Sequence, residues 1–170
     1  MAYEQKIKVP RFEEAAGFYT TAKTTALMKK IKATNSKPEV ALRKALWHVG
    51  LRYRTHYKKL PGKPDIVFVR WKAVVFVDGD FWHGYDWENR QHSIKSNKAF
   101  WTPKIMRNMQ RDREVEAALT LLGWRYLRIW THEIEKDLGA SLYRTLRFLE
   151  SCREDLDADA ADFTDYFTTL

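Results

Sequence analysis

Cysteine is nearly absent. Cys152 is the only one in 170 residues, so no intrachain disulfide can form and a cysteine-rich zinc module is excluded. A reducing compartment, the cytoplasm, is the expected location. No apolar run approaches the length of a membrane span, and the N-terminus lacks the apolar core of a signal peptide, so no membrane association is expected. The 7 glycines are scattered and build no phosphate-cradling loop. Internal repeats and a Cys/His metal framework are also missing.

Acid is scarce where base is dense. Residues 23–72 hold fourteen lysines and arginines against Glu39 and Asp65 alone, within a chain of net charge +8. Such a block calls for a polyanion partner. The tail, residues 151–170, has the opposite sign, with Arg153 against six acids. A length of 170 residues and 45% hydrophobic content fit one globular domain with a sizeable core. We divide it into an N-terminal arm (1–24), a main domain (25–150) and an acidic, solvated tail (151–170).

The most informative stretch is LPGKPDIVFVRWKAVVFVDGDFWHG, residues 60–84. Two short runs of Val, Ile and Phe, bracketed by Pro and Gly, predict neighbouring buried strands. Asp65 opens the first, and Asp78 and Asp80 end the second. Aspartate at a strand end is ordinary turn chemistry, but carboxylates converging at a sheet end are also what Mg²⁺ binds, with phosphate oxygens completing its shell. His83 follows closely and has the chemistry to take a proton from an attacking water. Phe81 and Trp82, an aromatic pair in a polar, Gly-bounded loop beside that centre, suggest a wedge between stacked bases.

The runs LPGKPDIVF, VVFVDGDFWHG, KSNKAFW and KIMRNMQRD, in this order and spacing, resemble the very short patch repair (Vsr-type) mismatch endonucleases of bacteria over residues 25–135. That resemblance implies a restriction-endonuclease-like α/β fold, a mixed sheet flanked by helices. It also implies Mg²⁺-dependent nicking of one strand of double-stranded DNA at a T:G mismatch. Residue by residue, it makes Asp65 the principal metal ligand, with Asp78 beside it, His83 the residue of water activation and Glu39 the helix-borne acid. Met28, Phe81 and Trp82 match side chains inserted into DNA, and Lys104 and Asn108 match positions near the scissile phosphate. Lys29 and Lys30, next to Met28, are expected to join the DNA contacts. Two departures stand out: Asp78 occupies a place where histidine is known, and Asp80 replaces a zinc-binding cysteine. With Tyr85, Trp87 and His132 at the other zinc positions, no structural zinc is expected. A monomer is expected, with repair factors as further partners. Two other readings stay open: a restriction- or defence-associated nuclease, and a mismatch-binding module without catalysis.

The remaining elements follow from local signals. Ser36-Lys-Pro-Glu39 reads as a capping box opening a helix with Leu42, Ala45, Leu46 and Val49 on one stripe, stopped at Gly50. Residues 51–57 read as a third strand of an antiparallel meander. A helix is expected from Thr102-Pro103 to Gly123, then a strand over 124–130 with Tyr126 and Arg128 on one face and Leu127 and Ile129 on the other. A helical segment from Thr131 and a closing helix over 140–152 complete the chain.

Overall fold

The two apolar runs pair as read. In the computed structural model, which describes residues 5–30 and 34–168, Ile66–Phe68 (β1) is antiparallel to Ala73–Asp78 (β2), with Val67 opposite Val74. The side chains of Lys23, Leu27, Lys29, Lys30 and residues 156–168 lie outside that description. Arg125–Trp130 (β3) lies parallel to β2 on its other side, Asp78 opposite Trp130. A parallel neighbour requires a crossover. It is made by Asp80–His83 (α3), Trp87–Arg90 (α4) and the long Lys98–Leu121 (α5), while Ala22–Lys30 (α1), Lys37–His48 (α2), Thr131–Lys136 (α6) and Leu138–Thr168 (α7) complete the helices. The α/β class expected from sequence is the class observed, a small three-stranded mixed sheet flanked by helices.

Strand alternation sorts the core onto the two faces of the sheet. Ile66, Phe68, Ala73, Val75 and Ile129 pack against Leu42 and Leu46 of α2, Ile134 of α6 and Leu149 of α7. Val67, Val74 and Phe76 pack against Leu60 and Leu119 of α5. Burying a side chain such as Phe68 contributes about 1.5–3 kcal/mol, and helices on both faces keep the strands dry. The capping box forms as read: the Ser36 hydroxyl accepts from the Glu39 N–H, and Glu39 Oε2 accepts from the Ser36 N–H at 3.2 Å.

Three expectations are corrected. Residues 51–57 form no strand and contribute a single bridge, Arg54 to Val67, because the backbone turns left-handed at His56 (φ 52°) and leaves the ladder. Helix α5 begins at Lys98, before Thr102, and carries Pro103 inside it. The extra turn brings Phe100 and Trp101 into an aromatic cluster, where Phe100 meets Phe12 of the arm edge-on at 4.8 Å. Tertiary packing here overrides the local helix-start signal. The closing helix runs on to Thr168, past the boundary drawn at residue 151, since no Gly or Pro follows Gly139 to stop it.

The N-terminal arm is tied to α5. Gln110, 1% exposed, accepts from the Ile7 N–H and donates to the Gln5 carbonyl, both at 3.0 Å. Phe12 and Phe18 stack at 5.7 Å and both meet Phe100.

Candidate active site

The end of β1 delivers Asp65 to the rim of the sheet, where its Oδ2 accepts from the Val77 N–H at 2.7 Å. Burial, and then the negative charges of Glu39 and Asp78, push this carboxyl up to about 6, outweighing the Val77 hydrogen bond and the pull of His83. The first turn of α2 brings Glu39 to the same place. It is 4% exposed, with Oε1 3.0 Å from Arg43 Nη1. Asp65, Glu39, Val77, His83, Trp82 and Met28 line a common cavity of about 620 Å³. Five expected residues, Asp65, Glu39, His83, Trp82 and Met28, are thus brought together. Among the described residues, no three His, Cys, Asp or Glu side chains form a preassembled metal cage.

Asp78 is placed otherwise than expected. Alternation along β2 puts it on the face of Val74 and Phe76, toward α5, and both its oxygens are taken by one guanidinium: Arg128 Nε donates to Oδ2 at 2.5 Å and Nη2 to Oδ1 at 2.9 Å. With its side chain 3% exposed and held by this fork, Asp78 is the anchor of Arg128 in this structure, and a role as metal ligand would require the fork to open. Arg128 reaches two further acids, Asp112 at 3.2 Å and Glu116 at 3.1 Å. Burial works against this cation, yet hydrogen bonding to Asp78 and the charges of all three acids raise its pKa above the ordinary value.

Asp112 in turn holds His83, with Oδ2 2.7 Å from Nδ1. Burial would raise the Asp112 carboxyl, but the His83 hydrogen bond and charge, with Arg128 and Arg111, hold it below the usual range. Arg128 Nη2 also lies 3.3 Å from His83 Nδ1. The shorter contact decides the tautomer, assigned from the network: a carboxylate oxygen can only accept, so Nδ1–H donates to Asp112, while Nη2 donates to Asp78 Oδ1 and pairs with Asp112 by charge at 3.2 Å. Nε2 is then the basic nitrogen of a ring that lines the cavity.

Sequence reasoning missed Asp112 and Arg128. Signals existed for both: Asp112 follows Asn108 by one helical turn, and a charged residue in the apolar strand RYLRIW demands a buried partner. The assignment of Arg128 and Tyr126 to the strand face opposite Leu127 and Ile129 is what β3 displays.

Beside His83, the aromatic pair sits on α3, a single turn between Gly79 and Gly84. Gly84 is left-handed (φ 71°), and a Cβ there would stand 2.5 Å from Met109 Sδ, so glycine both suits the backbone and lets α3 close against α5 without displacing Met109. Phe81 is 45% exposed and meets Trp82 and Trp101 edge-on at 5.2 and 5.4 Å, with Trp82 and Trp101 5.6 Å apart. Trp101 is a third member that sequence reasoning did not assign. Asn108, expected at the scissile phosphate, is 8% exposed and donates to the Trp82 carbonyl at 2.9 Å, so it braces the aromatic turn. Lys104 lies one turn earlier on α5. Lys29 and Lys30 end α1, and the contacts expected of their side chains fall outside the described residues. Asp80 accepts from His132 Nδ1 at 2.8 Å, and Tyr85 packs on the His132 ring at 4.4 Å and on Trp130 at 5.1 Å, which pins the loop after α3 to α6.

Comparison with known proteins places this geometry. The family model described as DNA mismatch endonuclease Vsr matches residues 16–89. A type II nicking enzyme, V.NmeDIP of Neisseria meningitidis serogroup C, is 49% identical over 110 residues, 65% of this chain and 74% of the relative. The type II nicking enzyme V.XorIIP of Xanthomonas oryzae pv. oryzae is 44% identical over 124 residues, 73% of this chain and 90% of the relative. The DNA mismatch endonuclease Vsr of Escherichia coli K12 is 34% identical over 106 residues, 61% of this chain and 65% of the relative. With an aspartate, a carboxylate-held histidine and an aromatic face around one cavity, and with these relatives, the chain belongs to the Vsr family of DNA endonucleases.

Proposed function

We propose that this enzyme nicks one strand of double-stranded DNA at T:G mismatches, using Mg²⁺ and leaving 3′-hydroxyl and 5′-phosphate ends. The observation that carries the reading is the adjacency on α3 of Phe81 and Trp82, an exposed aromatic face, to His83, whose imidazole is oriented by Asp112. A side chain that unstacks a base step and a base that activates water share four residues.

Asp65 fits a divalent cation. It is a half-buried carboxylate crowded by like charges, with one oxygen held by the Val77 N–H and, among the described residues, no hydrogen-bond donor on the other, and Glu39 lines the same cavity. Mg²⁺ binds through one or two carboxylates plus waters and substrate phosphates, so no closed cage is required. Bound there, it would neutralise the phosphoryl oxygens as charge develops. His83 Nε2 accepts the proton of the attacking water, whose oxygen bonds to phosphorus as the bond from phosphorus to the 3′-oxygen breaks. The leaving oxygen takes a proton from solvent. Asp112 holds the ring through Nδ1 and stabilises the imidazolium that forms.

Wedge insertion costs a few kcal/mol of unstacking, less at a weakened step, so discrimination is by deformability as well as by base edges. A nicking assay over all mismatches and the matched duplex, with and without Mg²⁺, tests the reading. Cutting of T:G duplexes alone, and only with metal, is expected; equal cutting of matched DNA overturns the mismatch specificity. Phe81→Ala with Trp82→Ala is expected to lower T:G nicking by at least about tenfold, as loss of a few kcal/mol of stacking implies. The fluorescence of a base analogue that reports unstacking should be lost with it. A folded double variant that nicks at the normal rate removes the wedge.

A further inference from the structure

The cavity of Asp65 and Glu39 has a neighbour. A second cavity of about 600 Å³ shares those two acids as its wall and is completed by His56, Tyr57, Lys58 and Lys63. Its rim is the turn 61–64, Pro-Gly-Lys-Pro, in which Gly62 (φ 76°) and Lys63 (φ 53°) are consecutive left-handed residues. Glycine takes that conformation freely; lysine does not. The turn is clamped from behind, since a Cβ at Gly62 would stand 2.4 Å from Val115 Cγ1 of α5. Lys63 is therefore presented by a rigid, strained turn two residues before Asp65.

Charge pairing points the same way. Arg43, Arg107 and Arg128 are matched with acids of their own. Among the described residues, the ammonium groups of Lys58 and Lys63 have no ion-pair or hydrogen-bond partner, although both line a concave site. The two acids of that wall have other engagements, Glu39 with Arg43 and Ser36, and Asp65 with Val77. Tyr57, Leu60 and Pro64 add an apolar side against which a sugar can rest.

We infer that the second cavity is a subsite for the sugar–phosphate backbone of the nicked strand, with Lys58 and Lys63 taking a phosphate that flanks the scissile one. The inference rests on Asp65 marking the point of cleavage. The strand then runs through both cavities across the Asp65–Glu39 wall, and the subsite holds it in line there. Part of the basic block in residues 23–72 acquires a specific task, positioning of one phosphate, in addition to general attraction.

The test replaces each phosphate of a T:G duplex in turn by a neutral methylphosphonate and measures binding with Ca²⁺ in place of Mg²⁺. For wild-type protein, one position beside the nick is expected to weaken binding about tenfold, the size of one charge-assisted contact. Lys58→Met with Lys63→Met should show a similar loss on unmodified DNA, no further loss at that position, and a salt-dependence slope shallower by about 0.9 for the one phosphate released. Lys→Arg at both sites should restore binding. Both side chains are exposed, so an unchanged melting curve is expected to accompany these effects. Unaltered binding by the double variant, or a methylphosphonate effect of full size in it, overturns the subsite. If wild-type protein nicks no duplex, the cleavage reading fails separately, and the binding scan still decides whether these lysines hold a phosphate.

Discussion

Asp65→Asn is expected to abolish nicking and, at neutral pH, to make the protein more stable than the wild type. Removing a charged metal ligand forfeits several kcal/mol of transition-state stabilisation, which is roughly a thousandfold or more in rate. DNA binding should persist, because its affinity comes from lysine and arginine contacts to phosphates. The gain in stability follows from linkage. Asp65 has its carboxyl raised from 3.8 to about 6 in the fold, so between those values the folded state binds more protons than the unfolded state. Wild-type stability therefore falls as pH rises through that window. A shift of this size corresponds to about 3 kcal/mol. Asparagine keeps an oxygen for the Val77 N–H and carries no charge, so its advantage should be full above pH 6 and vanish near pH 4. Thermal melts across that range, beside a nicking assay, check both halves. Undiminished nicking removes Asp65 from the chemistry, and a variant less stable at every pH removes the electrostatic account.

The second large effect is at Arg128. Its guanidinium neutralises Asp78, Asp112 and Glu116 at 2.5, 3.2 and 3.1 Å, and Asp78 is 2% exposed. Arg128→Met leaves buried carboxylates without a cation, a loss of about 3–5 kcal/mol when one partner of such a pair is removed. Lysine retains the charge but not the fork, so Arg128→Lys should fall between. The pH dependence again has a definite sign. Asp112 is held below the usual range, so its contribution is present above about pH 4 and lost as pH falls through its folded value. The deficit of Arg128→Met should accordingly shrink in acid. Adding Asp78→Asn to Arg128→Met should recover part of the stability and little of the nicking rate, because Asp112 and His83 would still lack their fixed geometry. Denaturant melts and single-turnover rates separate the two, with the rate falling more than substrate affinity. Full activity in the double variant would show that the network serves folding alone.

How much of this was legible in the sequence depended on range. The capping box of α2 was readable from four adjacent residues because its two hydrogen bonds are local. The β1 and β2 runs were readable because burial on both faces selects Val, Ile and Phe. The partner of Asp78 was not readable, since Arg128 lies fifty residues away on a strand that becomes a neighbour only after α5 has crossed over. The same limit hid Asp112. Residues 51–57 misled for a different reason: their composition suits a strand, but His56 adopts a backbone conformation that composition does not announce. The bond from Asn108 to the Trp82 carbonyl was not legible either, because a helix position tells which face a side chain takes and not what waits on that face.

Helix α5 carries Trp101 against the aromatic pair, Asn108 under Trp82, Gln110 under the arm, Asp112 behind His83 and Glu116 on Arg128. From Trp101 to Asp112 the helix rises about 16 Å, and no loop intervenes in that span. It acts as a ruler. Under the proposed function, the offset between the unstacked base step and the phosphate that is cut is set by helical rise, a constant of the protein that the substrate cannot adjust.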